Sequence, residues 1–592
     1  MFRIPTVTGF LMTASLSLAA VPADLESRRK AMKDLLAEHW EYVLSHNPEF
    51  ASILGDKRWN DKVTDFSQEE IDRDLARSKD FLGRFEAIDP TGFPEQEVLT
   101  RTLLVRGFRE QLEDARFKNW EMPVSQISGV HLDTPRLVSL LSFQTVKDYE
   151  DYVARLKALP RLFDQTVIQM RKGMAEGLMP PKFLLEKVVT QAEGISAKTP
   201  AESPFAMPLS KMPASFPEKT KARLRSAVLA AIRDSVAPTY TRFAKVVREE
   251  YAVRGRIEPG MWSLPDGDAR YANTVQRQTT TLLTPEEIHS IGVEQVAAIE
   301  AETTKVARAL GFADWKAMAA SIEKDPKHHA HSREELLSLY RKYIDRMKPQ
   351  LPTLFGRLPK ADLVVMPVEQ FREKEASGAQ YDQGTPDGSR PGHVMINTSD
   401  PESRKTISVE STAYHEGVPG HHLQIAIAQE VENLPPQRQQ AFYTAFVEGW
   451  GLYSERLGKE IGFYEDPYSD FGRLQDEMLR AIRLVVDTGF HAKHWTRQQV
   501  VDYFHAHSAI DEVDVQTETD RYISIPGQAL AYKVGQLKII ELRERAKKAL
   551  GAKFDVRKFH DAVLDAGALP LDVLEARVDA WIRSESAVTP GS

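Results

Sequence analysis

Apolar residues recur at three- and four-residue spacing through most of the chain beyond Asp24, in long Glu/Lys/Arg/Ala/Leu-rich runs separated by Pro and Gly clusters. This period predicts helices. Leu283-Thr284-Pro285-Glu286-Glu287-Ile288 has the form of a helix start, with Thr284 as N-cap, Pro285 in the first helical position and acids in the first turn. Strand-like runs are few. Leu363-Val364-Val365-Met366 is short and β-branched, and His393-Val394-Met395-Ile396-Asn397 follows the turn-rich stretch from Gly384 to Gly392. The expected fold is therefore mainly α, a two-lobed helical shell with one small β-sheet. The Pro/Ser/Lys-rich passage from Ala197 to Lys219 breaks the helical pattern and predicts a loop between lobes of about 24–210 and 211–592, within a single helical domain over 24–592. No fixed-period repeat points to a solenoid.

The first residues change the picture of where the chain works. Arg3 precedes an uncharged stretch from Ile4 to Ala23 that ends in Val21-Pro22-Ala23, small residues suited to cleavage before Asp24, so residues 1–23 predict a secretory signal peptide. No later segment reaches 18 uninterrupted apolar residues, so no stable membrane insertion is expected after cleavage, and the protein is expected to be exported, periplasmic or secreted. Lys and Arg number 77 and Asp and Glu 85, a net charge of -8 with no basic block, so nucleic acid is not an expected partner. The sequence contains no cysteine, which excludes lipid-anchored maturation at Cys and every Cys-containing metal site. Any metal must be held by His, Asp or Glu.

One segment carries chemistry: Tyr414-His415-Glu416-Gly417-Val418-Pro419-Gly420-His421-His422-Leu423-Gln424. Two His four residues apart on a helix, with a Glu beside the first, form a zinc site with a general base. Here the fourth position is Pro419. At about 100° per residue a straight helix would align His422 with His415, but seven residues is roughly 10.5 Å along the axis, too far to share one zinc with bonds of about 2 Å. Pro419 and Gly420 are the pair that would loop out and return His421 to ligand position, and the choice between His421 and His422 follows from where the chain breaks. Lys327-His328-His329-Ala330-His331, by contrast, reads as a solvated connector before a helix start at Ser332.

A catalytic zinc needs a third protein ligand and an open position for water. Glu448 lies in the aromatic and apolar run Phe446-Val447-Glu448-Gly449-Trp450, where an unpaired carboxylate would be costly to bury. A metal satisfies it. Gly449 and Gly451 suggest close approach of another helix or of substrate, and Glu455, seven residues on, suits an acceptor behind a ligand imidazole.

His415 to Gln424 resembles the signature of the bacterial family catalogued as domain of unknown function 885, which is similar to zinc-dependent helical peptidases of the neurolysin type. The resemblance extends over nearly the whole mature chain, through Leu54-Gly55-Asp56, Asp148 to Leu156, Gly173 to Pro180, Leu264-Pro265-Asp266-Gly267 with Tyr271, Val447 to Trp450, Asp487 to His491, and Arg521 to Gln528 with Tyr532. It implies a zincin-like helical shell around a recessed metal site and a metallohydrolase.

The expected mechanism assigns one Zn2+ per chain to His415, His421 and Glu448, lowering the pKa of water in the open position toward about 7, with Glu416 as the base that takes its proton. His491, Tyr522 and Tyr532 are candidate donors to the oxyanion. Arg521 is a candidate clamp for a substrate carboxylate, and the strand from His393 to Asn397 a candidate aligner of an extended peptide by main-chain pairing. The leading expectation is a zinc peptidase of short peptides. A metal-dependent amidase or esterase on another small molecule, and a non-catalytic binding protein with a vestigial site, are the alternatives. Oligomeric state is not legible.

Overall fold

A computed structural model describes residues 23–369, 373 and 376–587. The expected leader lies outside the described residues, apart from Ala23, where α1 begins (Ala23–His46). Among the described residues no helix is long and apolar enough to cross a membrane. The fold is mainly α with one three-stranded sheet.

Helix α1 packs with α2 (Gln68–Ala87) and α3 (Glu95–Asp114) around Met32, Leu35, Phe81, Phe85 and Phe108. A second core gathers α4 (Val146–Glu176), α5 (Lys182–Ser196), α6 (Glu218–Ala231) and α7 (Ala237–Val246). Thr145 and Asp148 close a capping box at the start of α4, satisfying N–H groups that the first turn leaves free. This core runs from Val63 to Ala252, so the lobe boundary expected near 210 falls inside it. The supposed linker is part of the packing. Residues Pro204–Lys211 form a 3-10 helix whose Phe205, Ala206 and Leu209 are buried in the same core, so the Pro-rich passage is kept compact by its apolar side chains.

The remaining chain builds the body that holds the candidate site. Helix α8 (Pro285–Ala309) starts as expected, with a capping box between Thr284 and Glu287. The His-rich connector after it is less solvated than its composition suggests, because His328 is buried against Tyr468. Strands β1 (Leu363–Pro367), β2 (Ala379–Asp382) and β3 (Gly392–Ile396) form a sheet in the order β1-β3-β2, with β1 parallel and β2 antiparallel to β3. Then follow α9 (Val409–Glu416), α10 (His421–Glu430), α11 (Thr444–Glu460), α12 (Pro467–Ala492), α13 (Glu512–Ser524) and α14 (Ala531–Leu550). Helix α12 is buried along nearly its whole length and lies against α8, while α11 lies along α14. The largest core, which includes Tyr414, Leu423, Trp450 and Leu542, surrounds these site helices.

Asp487, fully buried on α12, fastens the turn before α14. Its carboxyl accepts hydrogen bonds from the Tyr271 hydroxyl at 2.7 Å and the Gly527 amide at 3.0 Å. Burial, only partly offset by those donors, pushes its pKa up to about 7. The folded protein therefore keeps a proton that the unfolded chain releases near pH 4, so this group's contribution to stability falls as pH rises from about 4 to about 7 and is constant above. Asp487→Asn cannot ionise. Between pH 5 and pH 8 its unfolding free energy, measured by chemical denaturation, should gain on the wild type by about 1–3 kcal/mol, whereas an unchanged difference would show that the carboxyl titrates normally.

Candidate metal centre

Helix α9 ends at Glu416 because the chain turns sharply over Gly417-Val418-Pro419-Gly420, and a new helix begins at His421. Proline supplies no amide hydrogen to continue the ladder. The amide of His422 reaches back to the Gly417 carbonyl at 3.1 Å, and the Trp450 indole of α11 donates to the Pro419 carbonyl at 2.9 Å, which pins the turn from the opposite side. Gly420 has to be glycine, since a Cβ there would lie 2.0 Å from the His415 carbonyl oxygen. The expected loop-out is therefore a complete break between two helices rather than a bulge inside one.

The break brings three side chains together. His415 Nε2 lies 3.6 Å and His421 Nε2 3.4 Å from Glu448 Oε2, and the ligand atoms of all three lie within 4.8 Å of one another. Ligand atoms around a tetrahedral zinc with bonds of about 2.0–2.1 Å stand roughly 3.3–3.4 Å apart, so this spacing fits one ion better than direct hydrogen bonds. Behind His415, Glu455 Oε1 accepts from Nδ1 at 2.7 Å, which turns Nε2 toward Glu448. His421 Nδ1 is buried with no hydrogen-bond partner among the described residues.

The electrostatics of the cluster favour positive charge beside its carboxylates. Burial alone would lower the pKa of His415, but the nearby carboxylate of Glu448, the hydrogen bond to Glu455 and the charge of Glu416 outweigh it and push the imidazole up to about 10. Glu448 is held below the usual carboxylate range: burial raises it, and the two imidazoles more than reverse that. His422 faces elsewhere. Its Nε2 donates to the Ala361 carbonyl and its Nδ1 accepts from the Tyr381 hydroxyl, each at 3.1 Å, and burial lowers it to about 4. The two glycines of α11 have separate tasks: Gly449 meets the backbone of Gly535 on α14, and Gly451 faces the His415 ring.

Of the other expected site residues, Glu416 and Tyr532 lie at the cluster. Glu416 is half-buried beside His415, and no described residue hydrogen-bonds its carboxylate. The half-buried Tyr532 stacks on His415 with ring centroids 6.4 Å apart. The remainder have other work. His491 accepts from the Met261 amide at Nδ1 and donates to the Tyr522 carbonyl at Nε2, both at 3.0 Å, leaving no hydrogen for an oxyanion, and burial lowers its pKa to about 3. The Tyr522 hydroxyl is fully buried between Arg483 and Glu518. Arg521 grips Glu518 through Nε and Nη2 and Gln528 through Nη1. Asn397 donates to the Glu373 and Ala376 carbonyls and accepts from Ser399, so it holds a loop. His393 lies on β3, the central strand, whose two edges are already paired to β1 and β2, so no peptide can add to it. Of the two edge strands, β2 packs beside α9.

Sequence reasoning missed Trp450 as the clamp on the break, and Arg480 and Arg483, whose guanidiniums lie 5.9 and 4.5 Å from the centre of the Tyr532 ring. The signal available was two arginines three apart in an otherwise apolar stretch of α12.

Two measurements test the centre. His421→Ala should lose bound zinc while His422→Ala keeps it, as read by metal analysis of purified protein; the reverse pattern would transfer the ligand role. In Gly451→Ala the new Cβ would lie 2.7 Å from His415 Nε2. With every ligand still present, zinc affinity should fall by about 10- to 100-fold, and an unchanged dissociation constant would mean that the ring yields freely.

Similar proteins bear on the fold. A protein from Colwellia psychrerythraea, described provisionally as a lipoprotein, has a crystal structure 30% identical in sequence that superposes with a TM-score of 0.90, covering 94% of this chain and 99% of that one. A second, from Shewanella oneidensis and of unknown function, also described provisionally as a lipoprotein, is 17% identical with a TM-score of 0.70, covering 92% of this chain and 99% of its own, and speaks for the fold alone. No curated protein matches the chain. Residues 48–578 match the bacterial proteins of unknown function gathered as DUF885, and the chain belongs to that family.

Proposed function

We propose that this chain is a zinc-dependent hydrolase of short peptides with a zincin-like site. The observation that carries the reading is the convergence of His415 Nε2, His421 Nε2 and Glu448 Oε2 at zinc-ligand spacing beside the unengaged carboxylate of Glu416. A zinc ion bound there supplies Lewis acidity toward a carbonyl and toward water. The chain's own residues do the rest. Glu455 fixes the His415 ring and its tautomer through Nδ1. Glu416 accepts the proton of the attacking water and returns it to the leaving amine. The Tyr532 hydroxyl, on a half-buried residue whose ring stacks on His415 and which accepts from Gln528 at 3.3 Å, is the proposed donor to a developing oxyanion.

Export supports a peptide substrate outside the cytoplasm. The N-terminal composition has the signal-peptide layout, and the Colwellia relative is described provisionally as a lipoprotein, a class of exported protein. The proposed location is periplasmic or secreted.

Glu416→Gln keeps the shape of the side chain and all three ligands. It should retain zinc and the wild-type melting temperature while hydrolysing a mixed peptide pool about 10²-fold or more slowly. Equal rates at equal zinc occupancy would remove Glu416 from the mechanism.

A further inference from the structure

Next to the metal centre, across the ring of Tyr532, lies a group of arginines with donors to spare. Arg480 and Arg483 stand three residues apart on α12 and both face the Tyr532 ring, whose other neighbour is His415. Arg483 is buried. Its Nε donates to the Tyr522 hydroxyl at 2.9 Å and its Nη2 to Glu518 at 2.8 Å, while Nη1 has no hydrogen-bond partner among the described residues. Arg480 donates from Nη1 to the Asp476 carbonyl at 3.1 Å and lies 3.7 Å from its carboxylate, while its buried Nε likewise has no partner among the described residues. Arg521 spends its donors on Glu518 and Gln528. Three guanidiniums thus share two carboxylates, those of Glu518 and Asp476, and Asp476 is also occupied by the Ser411 hydroxyl.

A buried guanidinium N–H without an acceptor is costly, and two such donors side by side suit an anion. We infer that Arg483 and Arg480, with Tyr532 between them and the metal centre, form a subsite for the C-terminal carboxylate of a peptide. This inference rests on the peptidase reading above and narrows it. The separation is small: the Arg483 guanidinium lies 4.5 Å from the Tyr532 ring centre, which lies 6.4 Å from that of His415. An extended chain covers at most about 3.3–3.6 Å per residue, so a carboxylate held by the arginines sets the scissile bond within the last one to three residues. In the hydrolysis, water's oxygen joins the acyl carbon, the C–N bond breaks, and the released amine takes the proton and leaves with the terminal carboxylate. A planar two-oxygen anion suits a guanidinium better than a C-terminal amide, which has one acceptor and no charge.

The test uses two synthetic pools of N-acetylated tetrapeptides, identical except that one ends in free carboxylates and the other in carboxamides. The wild-type protein should cut the acid pool at least tenfold faster, with mass spectrometry locating cleavage in the last three residues. Binding of both pools to Glu416→Gln, measured by calorimetry, should show the same preference without turnover. Arg480→Gln, at the less buried arginine, should bring the acid-to-amide ratio close to one while zinc content and melting temperature hold. Equal cutting or equal binding of the pools, or binding of neither, overturns the carboxylate subsite. Preferential binding of the acids without any hydrolysis by zinc-loaded wild type leaves the subsite standing and sinks the peptidase reading instead.

Discussion

The structure turns on a carboxylate in an apolar place. Glu448 sits on a helix whose neighbouring residues Ala445, Phe446, Val447 and Trp450 are buried, and an ionised group there is tolerated only with positive charge in contact. The imidazoles of His415 and His421 supply that contact, and Glu455 adds a second buried negative charge behind His415. The proposed metal site rests on this pairing of two carboxylates and two imidazoles together with the spacing of their side-chain atoms.

Everything around the cluster serves to hold that arrangement against the preference of a helix to continue. Without the turn at Gly417 to Gly420, His421 would point about 120° away from His415. The turn is stabilised on three sides: the missing donor of Pro419, the absent side chain of Gly420 against the end of α9, and the indole of Trp450 from α11. The same α11 carries Glu448, Gly451 and Glu455. One helix therefore supplies a ligand, the space for a ligand ring, the acceptor behind that ring and the clamp on the chain break, so small shifts of α11 move all four together.

The convergence of His415, His421 and Glu448 was legible because its chemistry is local: His, Glu, Pro and Gly within eight residues, then one acid in an aromatic run. The helix start at Thr284 and strands β1 and β3 were legible for a similar reason, since capping and β-branching are written in adjacent residues. What failed depends on distant partners. Tyr522 and His491 have polar, Gly- and Pro-flanked settings that resemble a site, yet their hydrogen bonds go to side chains or backbone far along the chain. Strand β2 has no β-branched run and exists because β3 pairs with it. The Pro-rich passage after Ala197 resembles a linker until Phe205 and Leu209 are seen inside the second core. For His393 the residue pattern gave a strand but not its place in the sheet, and a central position removes the free edge that peptide pairing requires.

Helix α12 joins these parts. Asp476, Arg480, Arg483 and Asp487 follow one another at spacings of four, three and four, so they share one face of the helix. Asp476 accepts from Ser411 on α9, Arg480 and Arg483 lie over Tyr532 on α14, Arg483 also reaches Glu518 on α13, and Asp487 holds Gly527 in the turn between α13 and α14. The face that binds the helix of the first histidine is thus the face that presents the unpartnered guanidinium donors. Because α12 is buried along nearly its whole length, it cannot slide to suit one neighbour without disturbing the others. The arginines over Tyr532 and the contact to the helix that carries His415 are thus tied to one buried element, which couples the placement of the proposed carboxylate subsite to that of the first histidine.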